Sequence, residues 1–373
     1  MIHSNGQIMI KDRKNLEELT MMRAIAILLI IECHLTIFLK LGIFQEPLYQ
    51  SSFYTAPIGL TMFFFVSGFL LYYHYNSIQS IKNALTFYYK RFKRIYPLYW
   101  LALLLCVSLT IFTHGILTLY PPTWTSATIV ANFLGIQEFL YNEGLQTHFW
   151  FISVITMYYL LYPIIIRPKN LVNALSIAII IFLSAYAINS TFNLIEIHFF
   201  RYYWTFILGI IICWIKYNKS SLFSKNYRDY FILILLTPML ALVPRAYYEP
   251  YYLVISIISC LILYYCLNVL FENKALNIKI TSTKLYELLL KISIASFAVY
   301  LFHPIVLYFA RAILTYYNVE NVFYYNLMVV LIIIPLIFVF GYYLQLLEFK
   351  IIKMDVSYLK IKSKLESIIS RTD

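Results

Sequence analysis

The chain has 373 residues, of which 62% are hydrophobic and only 12% are charged. Ordinary soluble domains carry roughly a quarter charged residues, so this composition excludes a water-soluble protein. The formal charge of +12 does not indicate nucleic-acid binding either, because the lysines and arginines lie between apolar runs and not on a polar, foldable surface.

Ten apolar runs are each long enough to cross the hydrocarbon core of a membrane, which takes about 20 residues of helix. They cover residues 19–40, 57–75, 97–117, 149–166, 171–189, 201–217, 230–248, 251–270, 292–317 and 322–349. The runs are continuous and not alternating, which favours helices over the strands of a barrel. The sequence therefore predicts an all-α integral membrane protein of about ten transmembrane helices.

The positions of the basic residues predict the orientation of these helices. The N-terminal tail and the even-numbered connections are rich in lysine and arginine, whereas residues 41–56 and 118–148 contain neither. Short basic connections face the cytoplasm. We therefore expect both termini to be cytoplasmic, with residues 1–18 and 350–373 as tails around one membrane domain at 19–349. The long loop at 118–148 is then extracytoplasmic.

The first predicted helix contains three ionisable residues, Arg23, Glu32 and His34. Such residues are costly inside a membrane and are functional candidates by default. Arg23 and His34 are eleven residues apart, which places them on nearly the same helical face. Glu32 points away from His34, and we expect it to bind a cation from another helix. The alternatives are that Arg23 extends to the headgroups and that His34 is a buried histidine bonded to a neighbouring helix.

Arg91 and Arg94 lie within a basic stretch just before the third apolar run, in the segment YYKRFKRIYPLYW. They are three residues apart and share a helical face, and guanidinium groups suit polyphosphate binding. The sequence thus allows two interpretations of this pair: the arginines bind phosphate, or they only set the orientation of the helix in the membrane.

The remaining candidates lie toward the outer side. His148 and Trp150 begin the fourth helix, Arg201 begins the sixth, and His303 is near the middle of the ninth, with Arg311 two turns further outward. Trp150 is also an ordinary interface anchor, and His303 precedes a proline and is explained equally well as part of a kink. Each of these residues has a structural explanation as well as a functional one.

Small and sulfur-containing residues predict packing. Gly68, Gly209 and Gly341 indicate close helix contacts. All five cysteines lie within apolar runs without a metal-ligand spacing, and the chain contains no phosphate-binding loop or serine nucleophile motif. The sequence predicts no metal site and no permanently bound cofactor.

Six segments in the same order resemble the membrane-bound acyltransferase 3 family. They are the Arg23–His34 spacing and the segments FFFVSGFLL, RFKRIYPLYW, HFWFISVITMYYLLYP, RYYWTFILG and VYLFHPI. Many family members have an acidic residue in helix four where this chain reads SVITMYYLLYP, so that residue has no counterpart here. The chain also shows no C-terminal hydrolase-like domain, which implies that the membrane domain acts alone or with a separate extracytoplasmic transferase partner.

The resemblance implies a plasma-membrane enzyme that transfers an acyl group, usually acetyl, from cytoplasmic acyl-CoA to an extracytoplasmic glycan or cell-wall acceptor. Arg91 and Arg94 would then bind the CoA phosphates, with Arg23 nearby, and His34 would act as general base or as transient acyl carrier. The acceptor side would comprise His148, Trp150, Arg201, His303 and Arg311. The rival interpretation from another class is an exporter or flippase of a polysaccharide or lipid-linked sugar.

Overall fold

The computed structural model describes residues 16–40, 42, 45–112, 125–139, 147–168, 171–218, 245–319 and 321–369. Within these ranges the chain is almost entirely helical, and the only β pairing is one isolated antiparallel bridge between Phe139 and Ile195. The helices are α1 Glu17–Phe38, α2 Gln45–His74, α3 Ile81–Phe112, α4 Ser126–Leu134, α5 Trp150–Ile165, α6 Leu171–Phe192, α7 Ile197–Asn218, α8 Arg245–Glu272, α9 Lys274–Thr281, α10 Lys284–Tyr316, α11 Val322–Met328 and α12 Ile334–Ile369. A π-helical turn at Val329–Ile333 joins α11 to α12, and a 3-10 turn at Thr147–Phe149 precedes α5.

Eight spans within the described residues are long and apolar enough to cross a membrane, and α5 is a shorter apolar helix of 16 residues. The prediction of an all-α membrane protein is therefore confirmed. Most of the predicted span at 230–248 lies outside the described residues, as do residues 1–15 and parts of the 118–148 loop. The cytoplasmic location of the termini stays a prediction.

Several helices extend beyond the predicted apolar runs. Helix α2 begins at Gln45 and not at residue 57, and α3 begins at Ile81 and not at residue 97. Helix α10 begins eight residues earlier than predicted, and α12 continues into the predicted C-terminal tail. The apolar run marks only the part of a helix inside the hydrocarbon, whereas backbone hydrogen bonds continue through polar residues at either end. Arg91 and Arg94 consequently lie well inside α3.

Helices α1 and α10 are neighbours that run in the same direction. Four contacts follow each other in order along both helices, joining Glu17 to Tyr286, Arg23 to Ser296, His34 to His303 and Phe38 to Tyr308. Two parallel membrane helices must enter from the same side of the bilayer. This shared direction brings two candidate residues of the first helix, Arg23 and His34, against α10.

Close helix contacts at the three predicted glycines hold the bundle together. A Cβ atom at Gly68 would overlap the carbonyl oxygen of Phe206, and one at Gly209 would overlap the carbonyl oxygen of Phe65. Gly341 packs in the same way against Val299. The two reciprocal contacts between α2 and α7 require residues without side chains, as the sequence predicts.

Candidate active site

Three arginines line one cavity of about 170 Å³ between α1, α2, α3, α5 and α10. We call it the arginine cavity. Its lining residues are Arg23, Phe63, Val66, Ser67, Leu70, Leu71, Arg91, Arg94, Ile95, Phe151, Ile155, Tyr159, Ser296, Phe297 and Tyr300. Because the three arginines come from two distant segments, only the packing of α1 against α10 and of α3 against the bundle brings them together.

Among the described residues, Arg23 and Arg91 have only uncharged hydrogen-bond partners. The Nη2 atom of Arg23 donates to the Ser296 hydroxyl at 2.9 Å, and that of Arg91 donates to the Tyr75 hydroxyl at 3.3 Å. The Arg91 guanidinium also lies 5.3 Å from the centre of the Tyr75 ring, and its buried Nε atom has no partner among the described residues. Both cations therefore keep unneutralised charge next to the cavity.

Arg94 differs because it forms an ion pair with Glu348 of α12. The Glu348 side chain is only 3% exposed and also accepts a hydrogen bond from Gln345. The Arg94 guanidinium further lies 4.7 Å from the centre of the Phe349 ring. Glu348 is absent from the sequence predictions, because a carboxylate at the end of the last apolar run resembles an ordinary interfacial residue.

Three histidines from distant parts of the chain form one cluster, which we call the histidine cluster. The ring centres of His34 and His303 are 4.6 Å apart, and those of His148 and His303 are 5.8 Å apart. His148 is buried beside His303, and His303 also contacts His34, so the three rings lie together. His148 belongs to the 3-10 turn just before α5, and this position brings its ring against α10.

The hydrogen bonds of the cluster determine which ring atoms are free. Nδ1 of His303 lies 2.8 Å from the carbonyl oxygen of Tyr300 and 3.1 Å from that of Val299, and carbonyls only accept, so Nδ1 carries the proton. In the neutral ring Nε2 then keeps a lone pair, and this buried atom has no partner among the described residues. His34 likewise makes no hydrogen bond to any described residue.

Tyr300 connects the cavity to the cluster. Its ring lines the arginine cavity, and its hydroxyl donates to the carbonyl oxygen of His148 at 2.5 Å. The His148 ring in turn donates from Nε2 to the carbonyl oxygen of Leu301 at 3.1 Å. On α1, Arg23 and His34 are about 16 Å apart along the helix. The arrangement thus places a cationic cavity next to imidazole rings that have ring nitrogens without a described hydrogen-bond partner, in one continuous region of the bundle.

The profile of the acyltransferase 3 family, described as an acyltransferase domain, matches residues 16–346. The chain belongs to the acyltransferase 3 family. No curated protein and no solved structure matches it. The protein is therefore a multi-pass membrane acyltransferase that transfers groups other than amino-acyl groups.

Not all the candidate residues of this acyltransferase lie in the cavity or the cluster. The Trp150 ring stacks on His198 and Tyr202, at 4.2 and 5.6 Å between ring centres. Arg201 is partly buried on α7, and Arg311 is exposed on α10 two turns beyond His303. Glu32 accepts a hydrogen bond from the Thr55 hydroxyl, and no described cation bonds to it, contrary to the sequence prediction. An uncharged donor is sufficient there, because Glu32 is only partly buried.

The described part of this acyltransferase contains no group of three or more histidine, cysteine, aspartate or glutamate side chains that could hold a metal ion. The three clustered histidines contact one another through their rings at 4.6 and 5.8 Å between centres, and not through three nitrogens directed at one point. What the cluster offers is therefore proton transfer or nucleophilic attack by an imidazole nitrogen.

Proposed function

We propose that this membrane acyltransferase takes an acyl group, acetyl in the simplest case, from acyl-CoA on the cytoplasmic side. The acceptor is a hydroxyl of an extracytoplasmic glycan or another cell-envelope molecule, and the enzyme acts in the plasma membrane. The observation that carries the proposal is the connection between the arginine cavity and the histidine cluster through Tyr300. An anionic donor and an uncharged nucleophile need these two environments side by side.

The arginine cavity supplies what a CoA head group requires. Guanidinium groups bind phosphate oxygens through paired hydrogen bonds, and such bonds strengthen where water is excluded. Arg91 and Arg23 are the binding groups in this proposal, since no described carboxylate pairs with either of them. Arg94 is already paired with Glu348, so its role is to hold α3 against α12 beside the cavity. This assignment shifts the expected Arg91–Arg94 pair to Arg91 and Arg23.

The histidine cluster supplies the chemistry. In the base route, a His34 ring nitrogen takes the proton of the acceptor hydroxyl as the oxygen attacks the acyl carbon. The new carbon–oxygen ester bond forms, the carbon–sulfur bond of the thioester breaks, and CoA leaves as a thiolate toward the arginine cavity. His34 can then pass the proton of the acceptor hydroxyl to Nε2 of His303, because the two rings are in contact and Nε2 has no partner among the described residues.

A carrier route uses the same residues in two steps. A His34 nitrogen first attacks the thioester, which forms an acyl–imidazole and releases the CoA thiolate. The acceptor oxygen then attacks the acyl carbon, its proton passes to the cluster, and the carbon–nitrogen bond breaks. Rapid quenching of the enzyme with labelled donor and no acceptor distinguishes the two, because only the carrier route leaves label on the protein.

The test of the proposal is loss of the thioester from acetyl-CoA by the purified protein. We expect the wild type to consume acetyl-CoA, and His34→Ala to do so far more slowly at equal protein concentration. His74→Ala is the matched control, because His74 is an exposed histidine at the end of α2. An exporter or flippase leaves the thioester intact, so an intact donor in the presence of cell-envelope acceptors contradicts the proposal.

A further inference from the structure

Another histidine, His198, lies outside the histidine cluster at the start of α7. Nδ1 of His198 is 3.0 Å from the Oε2 atom of Glu138, and the two side chains are 28% and 9% exposed. The His198 ring lies flat against Trp150, with 4.2 Å between ring centres and 14° between planes. His198 therefore has a fixed position and orientation although its ring is accessible.

The carboxylate that holds His198 is itself rigidly placed. The backbone N–H of Glu138 donates to the Ser153 hydroxyl at 3.1 Å, and its carbonyl accepts from the N–H of Glu196 at 3.0 Å. The next residue, Phe139, forms the isolated bridge with Ile195. Bonds to both α5 and the start of α7 thus fix Glu138.

The carboxylate also determines which His198 nitrogen is free. With Glu138 as the acceptor, Nδ1 of His198 donates, and in the tautomer that carries its proton on Nδ1 the lone pair lies on Nε2. Nε2 has no hydrogen-bond partner among the described residues. A carboxylate that orients an imidazole in this way prepares the opposite nitrogen to accept a hydrogen bond.

The pair lies beside the region where the acyl group must arrive. Trp150, on which His198 stacks, follows His148 of the histidine cluster by two residues. The ring of Tyr300, which connects the cavity to the cluster, lies 4.9 Å between ring centres from that of Phe151, the residue after Trp150. His198 is therefore an accessible hydrogen-bond acceptor next to the cluster, and it does not line the arginine cavity.

We propose that the Glu138–His198 pair is an acceptor-binding site, in which Nε2 of His198 accepts a hydrogen bond from a hydroxyl of a neutral, polyhydroxylated acceptor. No bond to the acyl group is made or broken at His198, and the hydroxyl that reacts is a different one, at the histidine cluster. The inference rests on the proposed function and specifies the acceptor class and the residues that recognise it.

Two substitutions separate this role from a purely structural one. In His198→Asn the amide nitrogen occupies the Nδ1 position and keeps its donation to Glu138, but the Nε2 acceptor is lost. In His198→Gln the amide group reaches the Nε2 position, but the donation to Glu138 is lost. Acetyl transfer from acetyl-CoA to methyl glycosides of glucose, galactose and N-acetylglucosamine is measured together with acetyl-CoA hydrolysis by water.

We expect His198→Asn to raise the KM for the glycoside roughly five- to tenfold, the effect of one lost hydrogen bond to an uncharged group. The kcat at saturating glycoside and the hydrolysis by water stay at the wild-type values, and His198→Gln retains more glycoside affinity than His198→Asn. His74→Asn is the matched control. The three variants and the wild type are also compared by thermal unfolding in detergent.

Any of three results would overturn the inference. The first is a wild-type KM for His198→Asn, and the second is a greater KM defect in His198→Gln than in His198→Asn, since either shows that only the link to Glu138 matters. The third is a wild-type enzyme that hydrolyses acetyl-CoA but transfers acetyl to none of the glycosides. Failure of the wild type to consume acetyl-CoA at all would instead reject the proposed function, so the two failures are distinguishable.

Discussion

The arginine cavity and the histidine cluster are neighbours that share helices α1 and α10, yet they differ in the state of their polar groups. Among the described residues, the cavity arginines Arg23 and Arg91 bond only to hydroxyl groups. Within the same part of the chain, the rings of His148 and His303 bond only to backbone carbonyls, and the ring of His34 makes no hydrogen bond. One region retains charge for an anionic ligand, whereas the other retains lone pairs for a proton or an acyl carbon.

The comparison also distinguishes residues that bind from residues that hold the structure. Arg94 lies in the same cavity as Arg91, but its charge is neutralised by a buried carboxylate. Buried pairs of this kind contribute mainly by avoiding the cost of an isolated charge. Substitutions of Arg91 and Arg94, only one helical turn apart, should therefore differ: loss of Arg91 affects donor binding, and loss of Arg94 affects stability.

The largest expected effect is at the cluster. His34→Ala should lower kcat for acyl transfer by roughly 10²- to 10⁴-fold, the usual contribution of a general acid–base group. The donor KM should change little, because His34 does not line the arginine cavity. Steady-state kinetics of the purified protein measure both values. A fall in donor affinity with unchanged kcat would contradict the division between the two regions.

The next effect concerns stability. Arg94→Gln should lower the free energy of unfolding by about 3 kcal/mol, because Glu348 is left buried without its cation. The double variant Arg94→Gln with Glu348→Gln should recover most of this loss, since neither partner is then charged. Denaturation midpoints in one detergent provide the measurement. A double variant no more stable than the single one would show that the ion pair is not the cause.

A smaller effect is expected at Arg91. Arg91→Ala should raise the KM for acetyl-CoA roughly 10- to 100-fold, as expected for the loss of charged hydrogen bonds, with kcat preserved. Unfolding should change less than in Arg94→Gln, because Arg91 has no carboxylate partner among the described residues. Donor-dependent kinetics and the same unfolding assay check both statements. Equal kinetic effects at Arg91 and Arg94 would remove the distinction between them.

The smallest effect tests whether the position of Arg23 matters as well as its charge. Ser296→Ala removes the hydroxyl at 2.9 Å from Arg23 and leaves the charge in place. We expect roughly a two- to tenfold rise in donor KM, the range for one uncharged hydrogen bond. Ser282→Ala, at an exposed position after α9, is the matched control. A donor KM for Ser296→Ala that equals the control would show that Ser296 does not position Arg23.

The sequence was sufficient for the fold class and for the contents of the first helix. Continuous apolar runs identify membrane helices, and the eleven-residue spacing predicts that Arg23 and His34 both face one neighbour, which the structure identifies as α10. The close contacts at Gly68 and Gly209 also follow from residue type. These features depend on residue type and on spacing along one helix, so composition and periodicity are enough to predict them.

The sequence was not sufficient for contacts between distant helices. The pairing of Arg94 with Glu348 joins residues 254 positions apart, and nothing in the sequence indicates it. The position of the turn before α5, which brings His148 to His303, depends on how α5 packs in the bundle. Apolar runs also underestimate helix length, because helical hydrogen bonding continues beyond the hydrocarbon, as it does from Ile81 through Arg94.

The donor site is tested most directly by equilibrium binding of CoA, which carries the phosphates of the donor but has no thioester to be consumed. The Kd of the wild type for CoA is compared with those of His34→Ala and Arg91→Ala in the same detergent. We expect a Kd near the wild-type value for His34→Ala and a Kd roughly 10- to 100-fold higher for Arg91→Ala. An unchanged Kd for Arg91→Ala, or a loss of binding in His34→Ala, would contradict a donor site at the arginines and chemistry at the histidines.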